Sequence, residues 1–198
     1  LKLVKQRLVE QIKEYLNEIA SISNADWEFF TSKLKRNIIA KKAIFLKMGE
    51  IENYISFVES GVVRLFIPCK DDGKELTFGF CFKDQFVSAY DSFLTRTPSA
   101  YQLQALTETT LLSITYDDLQ EVYNKTKIGN LIGRLTAERL LLQKSKRELY
   151  LLNLTAEERY LKLFKERPQL LKVMPLKYIS SYIGITAQAL SRIRKRIS

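Results

Sequence analysis

The chain has 198 residues, 46% of them hydrophobic and 27% charged, with only 7 Gly and 4 Pro, which is the composition of an ordered globular protein and excludes a low-complexity or linker-rich one. It has no His, which excludes Ser-His and Cys-His catalysis, His-ligated haem and the usual zinc sites, and its two cysteines, Cys69 and Cys81, fit no zinc or redox spacing and read as reduced thiols. The net charge of +10 is lopsided: up to Gly133, 17 basic residues face 17 acidic ones, and from Arg134 onward 15 face 5.

Residues 2–19 place Leu8, Ile12, Leu16 and Ile19 at helical spacing, and a second short helix follows with Asn24 as its N-cap. From about Asn37 the texture changes to β-branched and aromatic runs, IIAKKAIFLKMGE, NYISFVESGVVRLFIP and ELTFGFCF, punctuated by Gly49, Gly61 and the turn DDGK at 71–74. Residues 100–116 alternate well enough to add two more strands, so the middle of the chain predicts a compact antiparallel sandwich or jelly roll. Asp117 caps the next predicted helix. A long segment from Ile128 to Leu154 then reads as one helix of about seven turns, with Leu131, Leu135, Leu142 and Leu149 in an apolar stripe suited to a parallel two-helix dimer. A further helix follows, capped by Thr155, carrying Glu157 and Glu158 in its first turn and closed by Pro168.

The last stretch, MPLKYISSYIGITAQALSRIRKRIS, holds a glycine between two apolar-periodic segments, and a glycine inside a helix costs about 1 kcal/mol relative to alanine, so Gly184 reads as a corner. A helix-turn-helix needs apolar residues at fixed offsets from such a corner. Pro175 suits the first helical position. Ile179 and Ile183 face inward, Ser180 is small where two helices approach, Ile185 plugs the corner, and Leu190 and Ile193 take the buried side of the second helix. Thr186 is placed to cap that helix, and Ala187, Gln188, Ser191, Arg192 and Lys195 share its exposed side. Gln pairs with adenine, Arg with guanine, and Lys, Ser and Thr reach phosphates or base edges. Arg194, Lys195 and Arg196 add phosphate attraction.

This order of parts resembles the Crp/Fnr family of bacterial transcription regulators over nearly the whole chain. YIGITAQALSRIRKRI is similar to the family's LGxTxExxSRxxxxL signature, with Gly184, Thr186, Gln188, Ser191 and Arg192 matching in place or kind, and LKMGE, ESGVVRLF and FKDQFVSAYDSFL resemble segments of its roll. The resemblance implies an α+β fold: N-terminal helices and an antiparallel β jelly roll of the cyclic-nucleotide-binding type over 1–125, a long dimerisation helix over 126–151, and a C-terminal winged helix-turn-helix over 152–198. It assigns base reading to Ala187, Gln188 and Arg192. Gln188 stands where the family usually has Glu, so the family's operator is not carried over.

The resemblance also places an effector pocket around Phe86, Ser88, Ala89, Arg96, Ser99 and Ala100. Where cyclic-nucleotide binders carry Gly-Glu and Arg-Ser-Ala, this chain has Ser88-Ala89 and Pro98-Ser99-Ala100, and a proline cannot neutralise a phosphate. No cAMP response is expected, with Arg96 the one substitute a loop shift allows. Any wing is expected to precede the second helix, around LLKVMP, or to be reduced to almost nothing. The expected partners are a palindromic double-stranded operator, a second copy of the chain, RNA polymerase and an unidentified small-molecule effector, with no cofactor, metal, catalytic residue or enzyme activity. No run approaches the roughly 18 apolar residues of a membrane span and the start lacks a signal-peptide core, so a cytoplasmic protein with no membrane partner is expected. The competing class is an effector-binding jelly-roll module, or a cupin-like protein, whose basic C-terminus binds acidic protein or membrane. Cupins need His ligands.

Overall fold

The computed structural model describes residues 13, 21–69, 75–127, 129–166, 168 and 174–197. The first predicted helix, the DDGK turn and most of the LLKVMP segment lie outside them. Helix α1 (Asn24–Ser32) is capped by Ser23, whose Oγ accepts the Asp26 N–H at 3.2 Å, so the cap stands one residue before the expected Asn24. Eight strands follow: β1 (Lys35–Ile39), β2 (Ile44–Leu46), β3 (Tyr54–Ser60), β4 (Val62–Pro68), β5 (Glu75–Phe82), β6 (Phe86–Val87), β7 (Gln102–Ala105) and β8 (Thr109–Thr115), with helix α2 (Tyr90–Thr95) between β6 and β7. They form two four-stranded sheets, β1-β8-β3-β6 and β2-β7-β4-β5. The pairings of β1 and β3 with β8, of β3 with β6 and of β2 with β7 are all antiparallel.

Successive residues of a strand point to opposite faces, and here both faces of the first sheet are buried. Val58 and Leu111 join Leu46, Val63, Val87, Ala89 and Leu103 inside the roll. Their neighbours Phe57, Leu112 and Ile114 turn the other way and pack with Trp27 of α1, Phe93 of α2 and Leu119 and Val122 of α3 (Tyr116–Lys125). That is why β8 is buried along nearly its whole length although its sequence reads as half-exposed. Helix α3 begins at Tyr116 and is capped by Thr115, not Asp117: the Thr115 hydroxyl accepts the Asp118 N–H at 3.1 Å.

Thr126 links α3 to the long helix α4 (Gly129–Asn153), donating to the Val122 carbonyl at 2.7 Å and accepting the Gly129 N–H at 3.0 Å. Helix α5 (Ala156–Glu166) starts from the expected Thr155 cap, and the pair closes into a capping box in which Thr155 Oγ1 accepts the Glu158 N–H while Glu158 Oε2 accepts the Thr155 N–H at 2.8 Å. Two further helices, α6 (Leu176–Ile183) and α7 (Ala187–Ile197), end the described chain. The chain divides into two compact units, Leu1–Leu65 with Phe80–Glu138 and Phe66–Gly79 with Arg139–Ser198, so the division falls within α4 and the tip of the β4–β5 hairpin belongs with the C-terminal helices. No described helix is long and apolar enough to cross a membrane.

Candidate functional site

The exposed face of α7 is assembled from behind. Ile179 and Ile183 of α6 and Leu190 of α7 are buried, Leu190 completely, so the apolar offsets read in the sequence bring the two helices together. Gly184 sits in the left-handed region at φ 80° and ends α6, its own N–H and that of Ile185 bonding back to the last turn. Pro175 stands at the N-cap position, one residue before the first helical one. Thr186 caps α7 through Oγ1, which accepts the Ala189 N–H at 3.2 Å.

With Leu190 turned inward, Thr186, Ala187, Gln188, Ser191, Arg192 and Lys195 are all exposed. Among the described residues, neither Arg192 nor Lys195 has an acidic partner. The other two bases of the last turn behave differently from the sequence expectation of free phosphate contacts. Arg196 forms an ion pair with Glu157 of α5, and Arg194 lines a cleft of about 280 Å³ with Tyr160, Leu161, Phe164 and Ile197.

The six residues assigned to an effector pocket do not all come together. Ala89 is fully buried in the roll interior beside Val87. Phe86 alternates to the opposite face of the sheet, where its ring meets Phe57 edge-on at 5.2 Å, among the helices rather than in the roll. The Ser88 hydroxyl donates to the Tyr54 carbonyl at 2.9 Å. Ser99 is buried, donates to the Tyr101 carbonyl at 2.8 Å and ties its backbone to Gly49 and Glu50, while Ala100 is exposed. Arg96, in the left-handed region at φ 57°, donates to the Glu52 carbonyl at 2.7 Å and to Asn53 Oδ1 at 2.5 Å, and its guanidinium lies 4.7 Å from the centre of the Tyr116 ring.

Two further groups in this region carry no sequence signal. Glu52 is only 5% exposed, and its carboxylate accepts the N–H groups of Tyr54 at 3.0 Å and Ala89 at 3.3 Å. Burial pushes its carboxyl above the usual range against the opposing pull of those hydrogen bonds and of Arg96. Tyr101 donates to Asp91 Oδ1 at 2.7 Å, and burial with that carboxylate beside it holds the phenol above its ordinary range. Neither Cys69 nor Cys81 is held in a disulfide among the described residues. Among the described residues, no three of Cys, Asp and Glu gather into a group able to hold a metal ion.

Residues 37–126 match the family model of the cyclic nucleotide-binding domain. That match spans the roll, from β1 to the end of α3. No curated protein matches the chain. Among solved structures, FixK2 from Bradyrhizobium japonicum superposes with a TM-score of 0.69 at 19% identity, covering 83% of this chain and 84% of that one. The c-di-GMP responsive global regulator CLP of Xanthomonas campestris gives 0.68 at 19% identity, over 88% and 91% of the two chains. The catabolite activator protein of Thermus thermophilus gives 0.57 at 18%, over 90% and 85%. At these identities the likeness establishes the fold alone: a roll of the cyclic nucleotide-binding type followed by helices.

Proposed function

We propose that the chain is a homodimeric, sequence-specific DNA-binding transcription regulator of the Crp/Fnr type that does not respond to cAMP. The observation that carries this reading is the division of α7, with Leu190 fully buried against α6 and Gln188, Ser191, Arg192 and Lys195 all exposed on the opposite side. A helix braced in this way from behind presents hydrogen-bonding side chains to the edges of base pairs in a major groove, and its basic residues to the flanking phosphates.

The long helix supports the dimer. Leu142 and Leu152 of α4 are 71% and 74% exposed and Leu149 is 55% exposed, at the seven- and three-residue steps of a two-helix seam. Two copies joined along such a seam place two α7 helices on one duplex, which calls for a site with two-fold symmetry. In the roll, Pro98 and Ala100 flank a buried Ser99 whose hydroxyl is already bonded to its own chain, which leaves no cation in that segment for a cyclic phosphate.

Selection of bound duplexes from a random pool tests the reading. A two-fold symmetric motif is expected, with an affinity roughly 5- to 150-fold weaker for Arg192→Ala. Equal affinity for every duplex would overturn it. Titration with cAMP is expected to leave Tm unchanged.

A further inference from the structure

Helix α6 ends with its hydrogen bonding completed from outside. The last four carbonyls of a helix have no partner within it. At the end of α6 the N–H of Ile185 takes the Ser180 carbonyl at 2.9 Å and the N–H of Gly184 takes that of Ser181 at 3.0 Å, which leaves Tyr182 and Ile183. The two remaining carbonyls are each met by an arginine from a different helix. Arg147 of α4 donates from Nη2 to the Tyr182 carbonyl at 2.7 Å, and Arg159 of α5 donates from Nε to the Ile183 carbonyl at 2.9 Å.

Neither arginine is a solvated surface charge. The guanidinium carbon of Arg147 lies 3.7 Å from the centre of the Tyr182 ring, stacked on it, and burial pulls its pKa down. Arg159 also donates from Nη1 to the Leu154 carbonyl at 2.6 Å and to that of Leu151 at 3.3 Å. One side chain thus spans the end of α4, the turn into α5 and the end of α6. A guanidinium has five donors in a rigid plane, so a fork of this kind fixes direction as well as distance, which a lysine does not. The negative end of the α6 dipole favours both cations at this place.

We infer that Arg147 and Arg159 are positioning residues that fix the α6–α7 pair on the long helix α4 and thereby set the separation between half-sites that the dimer accepts. This rests on the DNA-reading function proposed above. Neither residue belongs to the exposed face of α7, so their effect passes through orientation and leaves the reading of a single half-site intact.

The test uses the full chain and duplexes carrying the selected half-site as a single copy or as inverted pairs at successive spacings. The wild type is expected to prefer one spacing. Arg147→Lys keeps the charge and loses the planar stack on Tyr182, Arg159→Lys keeps the charge and loses the fork, and each is expected to flatten that preference by about tenfold while single-half-site affinity stays within about twofold. Where a lysine variant melts early, Arg147→Gln, which retains a donor for the Tyr182 carbonyl, takes its place and is expected to show the same flattening. A wild type that prefers one spacing, with folded variants that keep the same profile, overturns the positioning role alone. A wild type that binds every duplex equally overturns the reading function and this role with it.

Discussion

The hydroxyl of Ser181 and the backbone around Thr77 complete each other. Ser181 Oγ accepts the Thr77 N–H at 2.7 Å and donates to the Glu75 carbonyl at 3.1 Å, so one side chain of α6 takes a donor and an acceptor from β5. β5 lies at the end of its sheet, where a strand presents backbone groups with no neighbouring strand to pair them. Thr77 is 1% exposed, so water has little access to its N–H. Ser181→Ala is expected to leave a buried N–H unsatisfied and to cost about 1–3 kcal/mol, seen as a lower urea midpoint. Amide exchange at Thr77 is expected to accelerate in that variant. An unchanged midpoint and unchanged exchange would show that the contact adds nothing.

Two glycines at positive φ separate backbone strain from crowding. Gly184 has φ 80° and open surroundings, with the nearest atom to an added Cβ, Arg159 Nη2, at 3.9 Å. Gly184→Ala therefore incurs only the left-handed penalty, about 1–2 kcal/mol. Gly61, in the turn between β3 and β4, has φ 94°, and a Cβ there meets the Glu108 carbonyl oxygen at 2.6 Å and crowds Thr109 as well. Gly61→Ala adds an overpacking cost of about 1–3 kcal/mol to the same backbone penalty. Denaturant unfolding is expected to rank Gly61→Ala clearly below Gly184→Ala, and the reverse order would contradict the packing described for the β3–β4 turn.

Glu52 predicts a pH dependence with a definite sign. Burial is the largest influence on its carboxyl and raises the folded-state pKa above the unfolded one. The stability it contributes is fully present below the unfolded value, about 4.3, and is lost as pH rises through the folded value. Glu52→Gln keeps an acceptor and removes the titration. The stability of the wild type measured against Glu52→Gln is thus expected to fall as pH rises above the unfolded value. A difference that stays constant, or rises with pH, would mean that the hydrogen bonds from Tyr54 and Ala89 outweigh burial.

What the sequence made legible is what depends on neighbours in the chain. Gly184 announced its corner because only glycine reaches φ 80° without strain, and Leu190 its burial because it stands at a fixed offset from that corner. The helix caps slipped by one or two residues, to Ser23 and Thr115, since hydroxyl and carboxamide or carboxylate neighbours are all competent and the chain's exit from extended backbone, at ψ 152° and 163°, decides between them. The family resemblance groups Phe86 with Ala89, and a two-residue strand is too short for alternation to show that it faces the other way. Arg147 and Arg159 were invisible for a different reason. Their acceptors lie 35 and 24 residues away, and no local pattern marks a carbonyl that a helix end has left over.

The bases of α7 should separate by what they already hold. Arg192 and Lys195 are exposed and have no acidic partner among the described residues, whereas Arg196 is paired with Glu157. A base that neutralises a phosphate releases counterion, so Lys195→Ala is expected to lower affinity by a similar factor for every duplex and to reduce the slope of log affinity against log salt by about 0.9. Arg192 faces base edges in the proposed mode. Its alanine variant is expected to lose about 1–3 kcal/mol on the selected site, to relax one position of the motif and to leave non-specific binding nearly unchanged. Arg196→Ala removes a charge that Glu157 already compensates, so its effect on the salt slope is expected to be smaller than that of Lys195→Ala. Binding isotherms at several salt concentrations on selected and scrambled duplexes resolve all three. Equal losses for the three variants on both duplexes would show that the end of α7 acts as undifferentiated positive charge, and that the exposed face of the helix does not read bases.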